Sequence, residues 1–359
     1  MPPHCPRSDC RFHHSAVGWR WIRFGFFARR GSLERIQRFR CVACRHTFST
    51  QTFSTSYWLQ RPDVLHAVAF RILACSGCRQ IAREARCSPT TVMYHVARLG
   101  RHALLWHAAH RPAGPVREPL VPDGFESFAH SQYHPLYLNL VAGSPSHFCY
   151  AFTHTELRRK GRMTARQRWR RAELEAEFGR PDPRGVEDGT LAALRIAVPV
   201  AQELVVHSDE HPAYPRALRR LQGLGYRVRH ERTSSLDART AGNPLFPVNR
   251  LDLLLRHNSA SFKRETIAFC KRNQATVERT AWLVTWQNWS KRFSERHGGG
   301  TPAMRLGLES RPIPLREVLK RRLFPNRVPL STEWWTYYRG ELRTRRFARE
   351  KRHTLRLAF

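Results

Sequence analysis

Four cysteines in two close pairs constrain the fold of the first 50 residues more strongly than any other feature of the 359-residue sequence. The stretch between the pairs is rich in tryptophan, phenylalanine and arginine, which is typical of a few short strands. A segment this short buries too little apolar surface to fold alone, whereas one Zn²⁺ bound by four thiolates supplies the missing free energy of folding. The sequence therefore predicts a zinc ribbon over residues 1–50, with the metal ligands Cys5, Cys10, Cys41 and Cys44.

Other ligand sets remain open at this point. The spacing between Cys5 and Cys10 is wider than in the commonest zinc knuckle, so a histidine could replace one thiolate. The histidines close to the pairs in sequence are His4, His13, His14 and His46. No export signal is recognisable, which disfavours disulfides and indicates a soluble protein in a reducing, intracellular compartment.

The charge balance points to a polyanionic partner. The chain has 62 lysine and arginine residues against 28 aspartate and glutamate residues, so its formal net charge is +34. Solubility alone needs a net charge of magnitude about 2–8, and repulsion among so many cations lowers the stability of the folded state. Nucleic acid is therefore the expected partner. An anionic membrane surface is the alternative, but no basic amphipathic helix and no membrane-spanning stretch is evident, so no membrane partner is expected.

Apolar residues recur at helical spacing through residues 60–110. Pro62 can start a first helix, and a short turn at residues 86–88 separates two later ones, with Ser88 as N-cap and Pro89 as first helical residue. This is the spacing of a helix-turn-helix domain, whose second helix reads DNA. That helix would present these residues to DNA: Thr90, Thr91, Tyr94, His95 and Arg98. A helical hairpin without a DNA-binding role is the alternative.

The pattern becomes α/β after a proline-rich linker at residues 111–118. Two paired strands are predicted on either side of residues 143–145, followed by strands at 204–206 and 226–230. Helices are predicted over residues 157–180, 189–199, 217–224 and 248–295. The α/β domain is expected to span residues 118–298, and a basic region follows over 299–359. Its aromatic cluster either stacks on nucleic acid or packs into a basic face: Trp334, Trp335, Tyr337 and Tyr338.

Two aspartates of this domain lie at or close to predicted strands. Asp209 comes directly after the apolar run 204–206, and Asp123 lies in a short apolar segment with Gly124. Ligands and metals gather at the carboxyl ends of strands in α/β sheets, and two such carboxylates can bind Mg²⁺ for displacement at phosphorus. The alternatives are local. Asp209 with Ser208 could cap the next helix, and Asp123 with Gly124 could form an ordinary turn.

The order of these parts resembles transposases of bacterial insertion sequences, in particular the insertion-element-one superfamily of ribonuclease-H-like DDE enzymes. The resemblance spans most of residues 1–310. It is carried by the four cysteines with Phe48, residues 80–82, Asp123, Asp209 with Tyr214, and residues 249–256 and 302–308. It implies an α/β ribonuclease-H-like mixed-sheet core as the catalytic domain, joined to the N-terminal zinc ribbon and a small helix-turn-helix domain.

The third acidic position departs from the family pattern. Members place Glu, or in some branches Asn, seven residues before a basic residue; here Asn249 precedes Arg256. Asp252 lies three residues further along the same predicted helix face and could supply the missing carboxylate. Glu265 is a further candidate. The resemblance thus implies Asp123, Asp209, Asn249 and Asp252 as catalytic residues, with Asp123 and Asp209 binding Mg²⁺ or Mn²⁺.

The implied activity is binding of element ends, hydrolysis of a phosphodiester bond to free a 3′-hydroxyl, and attack of that hydroxyl on a phosphodiester of target DNA, which joins the two strands. The implied partner is double-stranded DNA, bound by a homo-oligomer in the bacterial cytoplasm, in association with the nucleoid. Three basic residues between the two aspartates are expected to contact phosphates: Arg158, Arg159 and Lys160. Arg256 is expected to do the same. The alternative function is a non-catalytic, sequence-specific DNA-binding protein, either a regulator or an inactive relative.

Overall fold

The computed structural model describes residues 1–28 and 35–345. Within these residues, the strands are β1 (Trp21–Ala28), β2 (Arg35–Cys41), β3 (Thr47–Ser49), β4 (Leu120–Phe128), β5 (Pro135–Gly143), β6 (Cys149–Glu156), β7 (Glu203–Ser208) and β8 (Arg227–Arg232). The helices are α1 (Leu65–Arg71), α2 (Cys78–Glu84), α3 (Pro89–His110), α4 (Ala165–Phe178), α5 (Gly185–Ala197), α6 (Ala213–Gln222), α7 (Phe246–Asn258), α8 (Asn273–Thr285), α9 (Pro302–Arg305), α10 (Leu315–Val318) and α11 (Thr332–Arg339). Short 3-10 helices span Thr50–Phe53, Pro62–Val64 and Pro325–Arg327, and a π-helical turn, Trp286–Ser290, continues α8.

The first three strands form a small antiparallel sheet in the order β1-β2-β3. Phe39 of β2 pairs with Phe48 of β3, and their rings pack with the buried cysteines in a separate small core. Trp19 and Trp21 close this core, with Trp19 stacked on Phe48 and Trp21 edge-on to Phe39. The aromatic residues between the cysteine pairs thus form both strands and core, as the sequence predicts.

A mixed five-stranded sheet in the order β6-β5-β4-β7-β8 organises the α/β part of the chain. β4, β5 and β6 form an antiparallel meander, and β7 and β8 run parallel to β4. The predicted α/β class is therefore confirmed. Pro122 is accommodated within β4, where it stands opposite Val141 of β5. Leu120 of β4 stands opposite Val206 of β7, which sets the register between the strands that carry the two aspartates.

Helices cover the sheet on both sides. Val121 and Ala142 pack with Leu245 and with Val248 of α7, whereas the neighbouring Leu120 belongs to the main core that includes α5. Successive side chains of a strand point to opposite faces, so α7 covers the face that carries Val121. Asp123, two residues further along β4, lies on this same face.

The helical segment before the sheet shares the sheet's core. Buried apolar residues of α1, α2 and α3 form one cluster with those of β4–β7 and α8. Trp282 of α8 donates its indole N–H to the Ala69 carbonyl at 2.9 Å, and His107 of α3 lies 2.9 Å from the Tyr150 carbonyl. Because the apolar pattern continues through Leu104, α3 runs to His110, beyond the Leu99 at which the sequence pattern was expected to end.

The structure defines two later segments more closely than the sequence does. Residues 248–295 are mostly helical, as predicted, but α7 ends at Asn258, whose side-chain amide donates to the Leu254 carbonyl at 3.1 Å, and α8 begins at Asn273. The aromatic cluster of the basic C-terminal region is largely buried, and Trp334 donates to the Phe152 carbonyl at 3.0 Å. Its packing interpretation is thus the correct one for Trp334, Tyr337 and Tyr338. The part of this region after residue 345 lies outside the described residues.

No helix among residues 1–28 and 35–345 has the length and apolar character needed to cross a membrane.

Candidate functional site

The four predicted zinc ligands meet in the N-terminal sheet. Their sulfur atoms all lie within 4.8 Å of one another, and the Cys5 and Cys44 sulfurs are 3.6 Å apart. A tetrahedral Zn²⁺ site with bonds of about 2.3 Å separates its sulfurs by about 3.8 Å. No histidine of the described residues joins the group; His4 and His13 each direct Nδ1 to the Cys5 carbonyl at 2.9 Å. The cluster therefore fits a four-thiolate zinc ribbon.

Hydrogen-bond donors favour the thiolate form of one ligand. Trp19 donates its indole N–H to the Cys41 sulfur at 3.3 Å. Burial would raise the pKa of Cys41, but the Cys44 backbone N–H and this indole outweigh it and lower the pKa to about 7. Burial raises the pKa of Cys5 well above its usual range, which means that a cation is needed to keep all four ligands ionised together.

We expect Cys41→Ser to release zinc and unfold the N-terminal sheet, because a hydroxyl is a poor Zn²⁺ ligand and the small core has little other support. Metal analysis should find less than one zinc per chain, and proteolysis should cut within residues 1–50. Cys149→Ser, a buried cysteine outside the cluster, is the matched control and should retain zinc. Stoichiometric zinc in Cys41→Ser would contradict the ligand assignment.

Asp123 and Asp209 lie on neighbouring parallel strands. Leu120 and Val206 are register partners, and three residues beyond each of them stand Asp123, within β4, and Asp209, directly after β7. Their carboxyls interact, since the charge of Asp209 contributes to raising the pKa of Asp123. The predicted position at a strand's carboxyl end holds for Asp209, whereas Asp123 lies mid-strand and does not form a turn.

A chain of hydroxyl groups holds Asp123. Its Oδ1 accepts hydrogen bonds from the Gly124 N–H at 2.7 Å and from the Tyr214 hydroxyl at 3.1 Å. The Tyr137 hydroxyl lies 3.1 Å from that of Tyr214. A Cβ at Gly124 would lie 1.6 Å from the Tyr137 ring, so glycine is required there. With Oδ1 bound in this way, Oδ2 of Asp123 is left for another ligand.

Asp209 is oriented by its own turn. Its Oδ1 accepts the His211 N–H at 2.8 Å, which shapes the turn before α6. The helix-capping alternative is wrong, because α6 has Pro212 as its N-cap and no side-chain capping hydrogen bond. The Ser208 hydroxyl donates to the Asp209 carbonyl at 2.8 Å and lies 2.8 Å from Nε2 of His230. With Oδ1 bound by the His211 N–H, Oδ2 of Asp209 is left for another ligand.

Asp252 brings a third carboxyl to the same face. It lies on α7 one turn after Val248, which packs against Val121 of β4. Its Oδ1 is buried and has no hydrogen-bond partner among the described residues. Burial and the charge of Asp123 raise the pKa of Asp252 to about 8, although Arg256 and Arg239 act in the opposite direction. Burial, assisted by Asp209, likewise raises the pKa of Asp123 to about 6.

The other candidates for the third position are less well placed. Asn249 is half-buried one turn before Asp252 on α7, and Glu265 is exposed in the segment between α7 and α8. The ligand atoms of Asp123, Asp209 and Asp252 do not form a group within 4.8 Å; of the described residues, only the four cysteines do so. The ligand atoms of the three aspartates are therefore further apart than those of a preformed single-ion site.

These pKa shifts predict a pH-dependent stability. A carboxyl whose pKa is about 8 when folded and near 3.8 when unfolded binds more protons in the folded state, so stability falls as pH rises through this window. In buffer without Mg²⁺, Asp252→Asn should therefore gain stability over the wild type by roughly 1–3 kcal/mol between pH 5 and pH 8.5. Urea unfolding monitored by tryptophan fluorescence measures this. A difference that does not change with pH would contradict it, and exposed Asp237→Asn is the control.

Sequence reasoning missed several groups around the aspartates. Arg239 lowers the pKa of both Asp123 and Asp252 through its charge, and Tyr137 completes the hydroxyl chain. Burial lowers the pKa of His211, which also senses the charges of Asp209 and Lys160. No local sequence signal marks Arg239 or Tyr137, since each reaches the site through tertiary packing.

The predicted DNA-reading face is only partly exposed. Thr90 and Tyr94 are exposed at the start of α3, and Thr91 is half-buried. His95 and Arg98 are buried, so their predicted place on this face is wrong. Arg98 donates to the Thr55 and Tyr57 carbonyls, and burial lowers the pKa of His95 to about 4. Both residues lie on the side of α3 that packs inward.

The predicted phosphate contacts also have protein partners. Arg158 makes a two-pronged ion pair with Glu175 at 2.7 and 3.0 Å, and Arg159 donates to Gln132 at 3.1 Å. Arg256 lies over the Phe125 ring at 4.5 Å and donates to the Phe262 carbonyl at 3.2 Å. Lys160 is exposed and close enough to His211 to affect its pKa.

Comparisons with known proteins give no family assignment. No protein-family model and no curated protein sequence matches the chain. Among solved structures, the chain is similar to a cryo-electron microscopy structure of a simian T-cell lymphotropic virus intasome in complex with the PP2A regulatory subunit B56 gamma. The identity is 12%, with 75% of this chain and 78% of that chain covered and a TM-score of 0.26. A TM-score this low supports neither a fold nor a function.

Proposed function

We propose that the chain is a metal-dependent DNA transposase with a ribonuclease-H-like core, which cuts DNA strands and joins them to a target. The observation that supports the proposal is that Asp123, on the sheet face covered by α7, interacts electrostatically with both Asp209 and Asp252. Two of them have raised pKa values because each is buried close to another carboxyl. Divalent cations relieve such repulsion, and carboxylates are the ligands that Mg²⁺ and Mn²⁺ prefer.

The donor set fits Mg²⁺ or Mn²⁺ rather than a softer metal. Asp123, Asp209 and Asp252 would hold the cations, and Asn249 could add an amide oxygen. Bound divalent cations lower the pKa of water, or of a 3′-hydroxyl, and stabilise the charge that develops on phosphate oxygens. Tyr214 holds Asp123 at Oδ1. His211 contacts Asp209, and Lys160 is close to His211, so both can meet a DNA phosphate.

The electrostatic field supports DNA as the substrate. With a net charge of +34, the chain attracts double-stranded DNA over long distances. Thr90, Thr91 and Tyr94 at the start of α3 would enter a groove, since recognition helices contact bases through their N-terminal residues. Bringing two element ends together requires at least two subunits, so we also propose a homo-oligomer on DNA.

A strand-cleavage assay tests this function. The purified full chain is incubated with labelled duplex DNA from the sequence that flanks its reading frame, with Mg²⁺, with Mn²⁺ or with neither. The proposal expects nicking that depends on the divalent cation and, with added target DNA, joined products. Specific binding without nicking or joining would instead establish the non-catalytic DNA-binding protein.

A further inference from the structure

The strands β1 and β2 present an unusual surface, which we call the aromatic arm (residues 21–28 and 35–41). β1 is an edge strand, and seven of its eight residues are exposed. Large apolar side chains account for much of this exposure, with exposed fractions of 43% for Ile22, 37% for Phe24, 51% for Phe26 and 38% for Phe27. Several large exposed apolar residues on one edge strand of a soluble protein usually mark an interaction site.

Core packing and a β-bulge determine the conformation of the aromatic arm. Its inner side is anchored by Trp21 and Phe39 in the small core beside the cysteines. A β-bulge interrupts the register between Arg23 and Phe26, where Gly25 has a φ of +73°. Gln37 of β2 donates to the Gly25 carbonyl at 2.8 Å and so holds the bulge. Bulges re-aim side chains and increase strand twist.

Cations accompany the rings. The guanidinium groups of Arg40 and Arg38 lie 4.6 and 5.3 Å from the centre of the Phe24 ring, and that of Arg35 lies 4.9 Å from the Phe26 ring. None of these three arginines pairs with a carboxylate of the described residues. Between residues 10 and 62 the sequence has ten arginines and one acidic residue, Glu34. The partner of the arm should therefore be a polyanion.

The combination of aromatic rings and arginines indicates which kind of polyanion the arm binds. A membrane-binding surface separates an apolar side from a basic side, whereas here guanidinium groups lie directly over two of the exposed rings, Phe24 and Phe26. Duplex DNA hides the faces of its bases, so it offers phosphates but no partner for a phenyl ring. Unpaired nucleotides offer both, because their bases stack on aromatic rings while their phosphates meet cations.

We propose that the aromatic arm binds single-stranded DNA, with unpaired bases stacked on Phe24 and Phe26 and phosphates on Arg35, Arg38 and Arg40. This inference rests on the proposed function for the identity of the nucleic acid, and it adds a second kind of substrate contact. A strand break lets the base pairs beside it open, and the arm would hold the nucleotides that are then unpaired.

Direct binding measurements test this proposal. Fluorescence anisotropy compares one short labelled oligonucleotide, single-stranded and as its duplex, on the full-length protein with zinc bound. The double variant Phe24→Ala/Phe26→Ala should weaken single-strand binding by about 30-fold, since each stacked base contributes about 1–3 kcal/mol. Duplex binding should change by less than about threefold. Arg38→Ala/Arg40→Ala should weaken binding and reduce its salt dependence.

Controls separate the possible outcomes. Phe24→Tyr/Phe26→Tyr keeps the stacking rings and should bind single strands like the wild type, which excludes a folding defect as the cause. Phe70→Ala removes an equally exposed ring outside the arm and should have no effect. Unchanged single-strand affinity in the double alanine variant, or an equal loss on duplex, would overturn the proposal. Asp123→Asn should bind single strands normally, so a failure of the cleavage function leaves this measurement interpretable.

Discussion

Asp123→Asn is expected to abolish strand cleavage, lowering its rate by about a thousandfold or more, equivalent to about 4 kcal/mol of activation free energy. An amide cannot supply the negative charge that divalent cations need. Asp123 is the carboxyl that interacts with both of the others, because Asp209 helps to raise the pKa of Asp123 and Asp123 helps to raise the pKa of Asp252. Affinity for DNA should stay the same or increase, because the change removes a negative charge close to the phosphates. Cleavage of a labelled duplex and an anisotropy titration give the two quantities.

Asp209→Asn should show the same pattern, since Asp209 directly follows the neighbouring strand β7 and its charge acts on Asp123. Asp237→Asn is the matched control, because Asp237 is an exposed aspartate with the same change of charge; it should cut DNA at the wild-type rate. Wild-type cleavage by Asp123→Asn or Asp209→Asn would remove that residue from the catalytic site.

The second large effect distinguishes Asp252 from Asn249. Asp252 has a buried oxygen without a partner and senses the charge of Asp123, so Asp252→Asn should reduce cleavage by about a hundredfold or more, equivalent to about 3 kcal/mol. Asn249→Ala should cost less than about tenfold, because its amide oxygen is a neutral and dispensable ligand. Single-turnover cleavage rates at saturating Mg²⁺ compare the two.

A structural role for Asp252 would give a different result. If the residue only supported α7, Asp252→Asn would lose activity in proportion to stability. We instead expect a variant that is more stable than the wild type at pH 8.5 without Mg²⁺ and yet is inactive. Full activity in Asp252→Asn, together with an inactive Asn249→Ala, would show that the family position carries the third ligand and that Asp252 does not.

The sequence reveals those parts of the structure that depend on local patterns. The cysteine pairs predict their own convergence, because close spacing puts two thiolates on one turn. Asp209 follows a short apolar run that is readily recognised as a buried strand, so its place at a strand end is predictable. Ser88 predicts the start of α3, where it accepts hydrogen bonds from Thr90 and Thr91.

Other features depend on contacts between distant segments. Periodicity could not show that Arg98 faces inward, because its guanidinium binds the carbonyls of Thr55 and Tyr57, which lie 43 and 41 positions earlier in the sequence. Tyr137 meets Tyr214 across 77 positions of the sequence. Asp252 is recognisable as a candidate from its spacing to Asn249, but its burial against β4 follows only from the packing of α7.

The most direct test of the central claim is a crystal structure of the full chain soaked in Mn²⁺ and measured at the manganese absorption edge. We predict anomalous density between the carboxyl groups of Asp123 and Asp209, with Asp252 turned toward it. Well-ordered aspartates without manganese between them, or manganese bound only elsewhere on the chain, would contradict the account.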